Sequence, residues 1–107
     1  MPQNENKTLS MLGLCRRAGR LTMGFDSTVA AVLKGEGKLV VITRDISSKT
    51  EKELRYALSG RTAPILQIPF DQSDMAAAVG KGVRVAGVCD TGFAAQIKKL
   101  LERVEDS

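Results

Sequence analysis

The chain has 107 residues, the length of one domain, with 16 Lys and Arg against 12 Asp and Glu and a net charge of +4. It has no histidine, which excludes imidazole acid–base chemistry. Cys15 and Cys89 form no Cys-x-x-Cys pair, which argues against zinc and thiol-redox sites and fits a reducing cytoplasm. No apolar run approaches the roughly 18 residues of a membrane span, so we expect no membrane partner.

The positive charge is unevenly distributed. Residues 1–49 contain eight basic and four acidic residues, whereas residues 50–107 contain eight of each. A basic surface is compatible with nucleic-acid binding but does not by itself establish it.

The first part of the chain predicts a tail, a helix and a short strand. Residues 1–7 lack a charged-then-apolar signal design and are predicted as a disordered tail ahead of one domain over residues 8–104. A helix is predicted from an N-cap at Thr8 to a left-handed stop at Gly19. Its inner stripe at helical spacing comprises Met11, Leu14, Cys15 and Ala18. Residues 21–23 predict a very short strand.

The middle of the chain predicts two further helices and two strands. Asp26 is the expected cap of a second helix that Gly35 ends, with Val29, Val32 and Leu33 facing inward. The apolar run 39–42 indicates a strand covered on both faces. A Ser48-x-x-Glu51 capping box predicts a third helix, and a strand over residues 65–68 lies between two prolines.

The last third predicts a short helix, a strand and a long helix. Asp71 and Asp74 open the short helix and Gly80 closes it, and residues 83–89 form the strand. Asp90 precedes the final helix, whose expected inner positions are Phe93, Ile97, Leu100, Leu101 and Val104. Strands separated by helices predict an α/β fold, a three-layer α/β/α sandwich around a mixed sheet of about four strands.

Five segments at this order and spacing resemble one known family. They are residues 12–19 (LGLCRRAG), 24–26 (GFD), 38–45 (KLVVITRD), 78–81 (AVGK) and 90–94 (DTGFA). The chain resembles the ribosomal-protein L7Ae/L30e superfamily, most closely its small bacterial YlxQ-like members. The resemblance implies the sandwich fold predicted above and non-catalytic binding of kink-turn or related structured RNA, ribosomal RNA included.

The resemblance also implies which residues contact RNA. They lie in the loop that opens the second helix, in the loop after the central strand and in the loop before the last strand: Gly24, Phe25, Asp26, Ser27, Arg44, Asp45, Ile46, Gly80, Lys81, Val83 and Arg84. Phe25 is as compatible with a core position as with a contact to a base, and residues 80–84 are also compatible with an ordinary tight turn.

The head of the second helix departs from the kink-turn pattern of the family, which is Gly-x-Asn-Glu-x-x-Lys. Asp26, Ser27 and Ala30 stand at the Asn, Glu and Lys positions. An ionised Asp accepts hydrogen bonds only, whereas an Asn amide both donates and accepts. We therefore expect recognition dominated by the phosphate backbone.

Three arginines end the first helix and extend the predicted site. Arg16, Arg17 and Arg20 suit bidentate phosphate contacts, although cations also favour the C-terminal end of any helix. We expect these arginines and the three loops to converge into one electropositive surface.

The sequence predicts an RNA-binding monomer without cofactor, metal site or catalytic residues. No spacing in the chain joins a nucleophile to a base, so we expect no enzyme activity. A protein–protein interaction module on the same scaffold is the alternative, since a fold does not dictate function.

Overall fold

The computed structural model of the protein describes the backbone of residues 3–106 and the side chains of residues 7–102. Within these residues the chain forms five helices and four strands, in the order α1 (Gln3–Arg17), β1 (Leu21–Met23), α2 (Phe25–Leu33), β2 (Leu39–Ile42), α3 (Ser48–Ala57), β3 (Ile65–Gln67), α4 (Gln72–Val79), β4 (Val85–Val88) and α5 (Thr91–Asp106). None of the described helices is long and apolar enough to cross a bilayer. The predicted inner position Val104 lies outside the described side chains.

The four strands form one mixed sheet in the order β1-β4-β2-β3. Strand β4 pairs antiparallel with both β1 and β2, and β2 pairs parallel with β3. Because β1 and β2 both oppose β4, the C-terminal ends of β1 and β2 lie beside the N-terminal end of β4. This topology places three connecting loops at one edge of the molecule.

Helices cover both faces of the sheet, which confirms the predicted α/β/α sandwich. Residues Leu39 and Val41 of β2 face a core shared with α1, α4 and α5. Residues Val40 and Ile42 face a second core shared with α2 and α3. The alternation arises because successive strand side chains point to opposite faces, and it explains why β2 is apolar throughout.

Helix α1 differs from its prediction at both its start and its inner face. It begins at Gln3 rather than Thr8, so residues 3–7 lie in the helix and not in a tail, and Thr8 is fully buried. The polar run before Thr8 carries no apolar stripe that could have revealed the helix. Leu12 and Cys15 form the inner face, whereas Leu14 is 44% exposed. Apolar residues on both sides of Gly13 left the rotation of the helix undetermined.

Helix α2 lies close to the sheet because of Gly87 in β4. A Cβ at Gly87 would lie 2.5 Å from Thr22 Oγ1 and 3.0 Å from Thr28 Cγ2. The hydroxyls of Thr22 and Thr28 share a 3.0 Å hydrogen bond across this gap. Thr28 thus takes an inner position on α2, and Leu33, predicted to face inward, is 45% exposed.

The starts of α4 and α5 follow the expected chemistry, and the start of α3 is shifted by one residue. Asp71 and Asp74, predicted to open α4, form a capping box there, and Asp90 accepts from the Phe93 amide at 2.8 Å to open α5. The cap of α3 is Ser47, not Ser48: its hydroxyl accepts from the Thr50 amide at 3.1 Å. Either of the two adjacent serines could cap the helix from sequence alone. In the structure Ser47 has the extended backbone of an N-cap residue.

Both cysteines are free thiols in the body of the fold. Cys15 is fully buried, and its Sγ donates to the Arg20 carbonyl at 3.1 Å. Burial raises the pKa of the Cys15 thiol to about 11, and burial also raises the pKa of Cys89. A raised pKa keeps a thiol protonated and unreactive at neutral pH.

Candidate nucleic-acid interface

Three loops meet where β1 and β2 end and β4 begins. The Gly24 amide donates to the Val85 carbonyl at 2.8 Å, and the Thr43 amide donates to the Arg84 carbonyl at 3.0 Å. These bonds hold the loop after β1 and the loop after β2 against the loop before β4. Together they line a shallow pocket of about 390 Å³, here named the loop pocket, formed by Gly24, Phe25, Asp45, Ile46, Ser47, Thr50, Val83, Arg84 and Val85.

The loop that opens α2 turns at a glycine. Gly24 has φ 102° and is itself the N-cap of α2, so the predicted cap at Asp26 is wrong. Such a backbone conformation is open to glycine and strained for other residues, and it lets the helix begin two residues earlier than a side-chain cap would. Phe25 is half-buried on the pocket wall, and Asp26 and Ser27 are exposed in the first turn of the helix.

The loop after β2 brings charge to the pocket. Asp45 lies on the pocket wall and pairs with Arg84 at 3.4 Å, and Arg44 pairs with Asp71 at 3.4 Å. The adjacent Thr43 hydroxyl, together with the Gln72 amide and Arg84, lowers the pKa of Asp45. Asp45 is therefore ionised at neutral pH, and the positive charge of Arg84 is partly offset.

Both ion pairs on this edge are loose. The Arg44 side chain is 61% exposed and the Arg84 side chain is 46% exposed. Exposed pairs of this kind contribute little to stability, because water screens them and two flexible side chains must be ordered. Each guanidinium can therefore exchange its carboxylate for a phosphate at little cost.

The loop between α4 and β4 contributes Val83 and Arg84 to the pocket. Gly80 ends α4 with φ 82°, as predicted, and the Gln72 side chain donates to the Gly82 carbonyl at 2.7 Å. This bond fixes the loop against the start of α4. Gly80 and Lys81, earlier in the same loop, are exposed and do not line the pocket.

The α1 arginines do not gather at the loop pocket. The Arg16 guanidinium lies beside Gly80, with its Cζ 3.8 Å from where a Cβ would stand on that glycine. Arg17 lines a groove between α1 and α4 that also contains Asp74. Arg20 lies at the opposite end of the sheet, where its carbonyl accepts from the Cys89 amide at 2.8 Å.

The prediction of a single electropositive surface is therefore wrong in two respects. Arg20 is separated from the loops by the length of β4, and the arginines at the loop pocket each have a carboxylate partner. Sequence could not reveal either point, because both depend on strand register and on loops brought together by the sheet. Ser47 and Thr50 line the pocket but were not predicted as site residues. Their Ser47-x-x-Thr50 spacing also fits the start of a helix, so it did not single them out.

The chain matches the family described as ribosomal protein L7Ae/L30e/S12e/Gadd45 over residues 6–98. It belongs to this family. Among its relatives is the RNA-binding protein YlxQ of Enterococcus faecium, 31% identical over 99 residues that cover 92% of this chain and 95% of that protein.

Two solved structures share the fold of this L7Ae/L30e family member. A protein of unknown function from Bacillus halodurans superposes with a TM-score of 0.81 at 34% identity, covering 90% of this chain and 97% of that one. The 15.5kD RNA binding protein of Giardia lamblia superposes with a TM-score of 0.73 at 17% identity, covering 99% and 91%. The family resemblance and the fold expected from the sequence are thereby confirmed.

Proposed function

We propose that this L7Ae/L30e family member is a non-catalytic RNA-binding protein that holds a structured RNA at the loop pocket. The observation that carries the proposal is the pocket itself, where apolar side chains of three separate loops meet beside the exposed Arg84. The RNA-binding name of the Enterococcus relative, which the chain covers almost completely, supports the same conclusion.

The pocket offers a surface for a base and a rim for phosphates. Phe25, Ile46 and Val83 form an apolar wall against which an extruded nucleobase packs. Arg44 and Arg84 lie where they can leave Asp71 and Asp45 for backbone phosphates. Such contacts position an RNA and carry little sequence information, in keeping with a backbone-dominated mode.

The exposed residues around the pocket complete the proposed interface. The first amides of α2, with Ser27, approach the backbone more readily than the Asp26 carboxylate, which repels phosphate. Lys81, Gly80 and Arg16 contact flanking nucleotides. Arg17 and Arg20 join the interface only if the RNA extends beyond the pocket.

The proposal extends to the domain, its oligomeric state and its location. Residues 8–104 act as one RNA-binding domain, which works as a monomer in the cytoplasm and associates with ribosomal or other structured RNA. Binding needs no cofactor and makes or breaks no covalent bond. Kink-turn geometry is not required by this proposal, because Asp26, Ser27 and Ala30 replace the residues that read it.

Fluorescence anisotropy with an RNA hairpin that carries one extruded base tests the proposal. Affinity should fall steeply as salt rises, since phosphate contacts release counterions. Arg84→Gln should weaken binding and lower the slope of log K against log salt by about 1. Lys98→Gln, the same charge change on exposed α5, should leave both unchanged. Equal effects of the two variants, or no binding at micromolar protein, would refute the proposal.

The charge balance of the pocket rim supports a second candidate function, a protein–protein module. Asp45 and Arg84 line the pocket and pair with each other, and Arg44, which precedes Asp45, pairs with Asp71. Such balanced charges suit a polar protein partner as well as RNA. A defined partner retained after nuclease treatment, and lost with Arg84→Gln, would favour this candidate over RNA binding.

A further inference from the structure

A second basic pocket lies at the opposite end of the sheet from the loop pocket. It is a depression of about 410 Å³ between the C-terminal end of α2, the segment before β2 and the loop between α3 and β3. Each of these three segments contributes one exposed cation: Lys34, Lys38 and Arg61. We name this surface the distal basic pocket.

The cations of the distal basic pocket lack acidic partners. No Asp or Glu lines it, and among the described side chains none places a carboxylate within 4.0 Å of Lys34, Lys38 or Arg61. The Lys38 ammonium instead donates to the Gly35 carbonyl at 2.8 Å. At the loop pocket, by contrast, both arginines are paired.

Arg20 extends the same positive surface. The Lys38 amide donates to the Val88 carbonyl and the Cys89 amide donates to the Arg20 carbonyl, each at 2.8 Å, so Lys38 and Arg20 flank the end of β4. Two acids accompany them at this end: Glu36, whose charge after burial raises the pKa of Cys89, and Asp90, which follows Cys89 in the chain.

The negative C-terminal ends of the nearby helices do not neutralise this concentration of positive charge. The C-terminal ends of α2 and α3 both approach the distal basic pocket, and each supplies about half a negative charge. Lys34, Lys38, Arg61 and Arg20 supply four positive charges against these two half charges, Glu36 and Asp90. A net charge of about +1 therefore remains at this end of the molecule.

We infer that the distal basic pocket binds the phosphate backbone of a second RNA segment, so that the protein bridges two segments of one folded RNA. The inference rests on the proposed function of the loop pocket. The four residues of β4 span about 13 Å between the two ends, in a molecule 28 to 35 Å across. An RNA backbone bound at the loop pocket must therefore turn away from that edge of the protein before it can reach the cations of the distal basic pocket. Thr62 and the backbone of Gly60 complete a polar wall around the bound phosphates.

The test compares two RNAs and two matched triple variants. One RNA is the hairpin with an extruded base, and the other is the same hairpin joined to a second helix. K34Q/K38Q/R61Q removes three charges from the distal basic pocket. K52Q/K98Q/K99Q removes three charges from exposed positions elsewhere on α3 and α5, and circular dichroism verifies that both variants are folded.

The wild type should bind the extended RNA on the order of tenfold more tightly than the hairpin at 0.1 M salt. K34Q/K38Q/R61Q should lose this gain, with a salt slope lower by about 2–3, and should bind the hairpin like the wild type. K52Q/K98Q/K99Q should keep the gain. If both triple variants reduce it equally, or neither does, the inference is overturned while the function of the loop pocket stands.

A third variant separates failure of the inference from failure of the proposed function. The Arg84→Gln protein should bind the hairpin more weakly than the wild type but should still bind a plain RNA duplex. Adding K34Q/K38Q/R61Q to this variant should abolish duplex binding. Hairpin binding that is insensitive to Arg84→Gln would refute the proposed function. Duplex binding unaffected by the triple substitution would refute the distal basic pocket.

Discussion

Replacing Gly87 with alanine should disturb the contact between α2 and the sheet on which the loop pocket depends. Gly87 is buried in β4 opposite Thr22, and an added Cβ would lie 2.5 Å from Thr22 Oγ1 and 3.0 Å from Thr28 Cγ2. Neither atom can move freely, because the two hydroxyls are bonded to each other at 3.0 Å between β1 and α2. Helix α2 must therefore shift outward.

The expected cost is the balance of three contributions. Overpacking of a close-packed site costs about 1–3 kcal/mol. Disruption of the Thr22–Thr28 hydrogen bond costs about 1 kcal/mol. Alanine in place of glycine within a strand recovers about 0.5–1 kcal/mol of backbone entropy. The net loss is about 2 kcal/mol, which for a domain of this size lowers Tm by about 10 °C.

Urea denaturation followed by circular dichroism measures the free energy of unfolding. In a double-mutant cycle, Thr22→Ala removes the atom nearest to the new Cβ, so its combination with Gly87→Ala should cost about 1 kcal/mol less than the sum of the single substitutions. Gly92→Ala is the milder comparison, since its added Cβ would lie 3.2 Å from one atom, the Asp90 Oδ2 that accepts from the Phe93 amide, and should cost less than Gly87→Ala. Additive costs in the cycle, or a Gly87→Ala protein as stable as the wild type, would show that the close approach does not control α2.

Three further substitutions test other parts of the structure. Gly13→Ala should cost about 1–2 kcal/mol in a urea titration, because its Cβ would lie 2.9 Å from the Ala78 carbonyl oxygen and the clash outweighs the better helix propensity; unchanged stability would contradict this. The pKa of Cys15 is about 11 in the folded protein against 9.0 for a free thiol. The stability contributed by the protonated Cys15 thiol is therefore present below pH 9 and lost as pH rises toward 11. Wild-type protein should therefore lose up to about 2.7 kcal/mol more than Cys15→Ala over that range, and parallel pH profiles would refute the assignment. Asp45→Asn should tighten RNA binding about twofold to threefold in the anisotropy assay by releasing Arg84 from its 3.4 Å pair, whereas weaker binding would mean that the carboxylate contacts the RNA.

Local sequence chemistry determined much of the secondary structure. The left-handed glycines that end α1, α2 and α4 and the Asp71–Asp74 capping box each depend on residues close in sequence. Where several local choices were equivalent, the predictions failed. The cap of α3 moved from Ser48 to Ser47, and the cap of α2 moved from Asp26 to Gly24 because a glycine could turn the chain earlier.

The sequence by itself determined that the chain alternates helices with apolar strands, and hence the α/β/α class, because hydrophobic periodicity and turn residues act over a few positions. It also contained the loop residues of the candidate site. Only the tertiary structure decided which of them meet, since strand order and register place Gly24, Asp45 and Val83 on one pocket and Arg20 at the far end of β4. Charge pairing between Asp45 and Arg84 and the gathering of Lys34, Lys38 and Arg61 likewise join residues distant in sequence. No local pattern encodes contacts of that kind, because they arise only when the sheet closes.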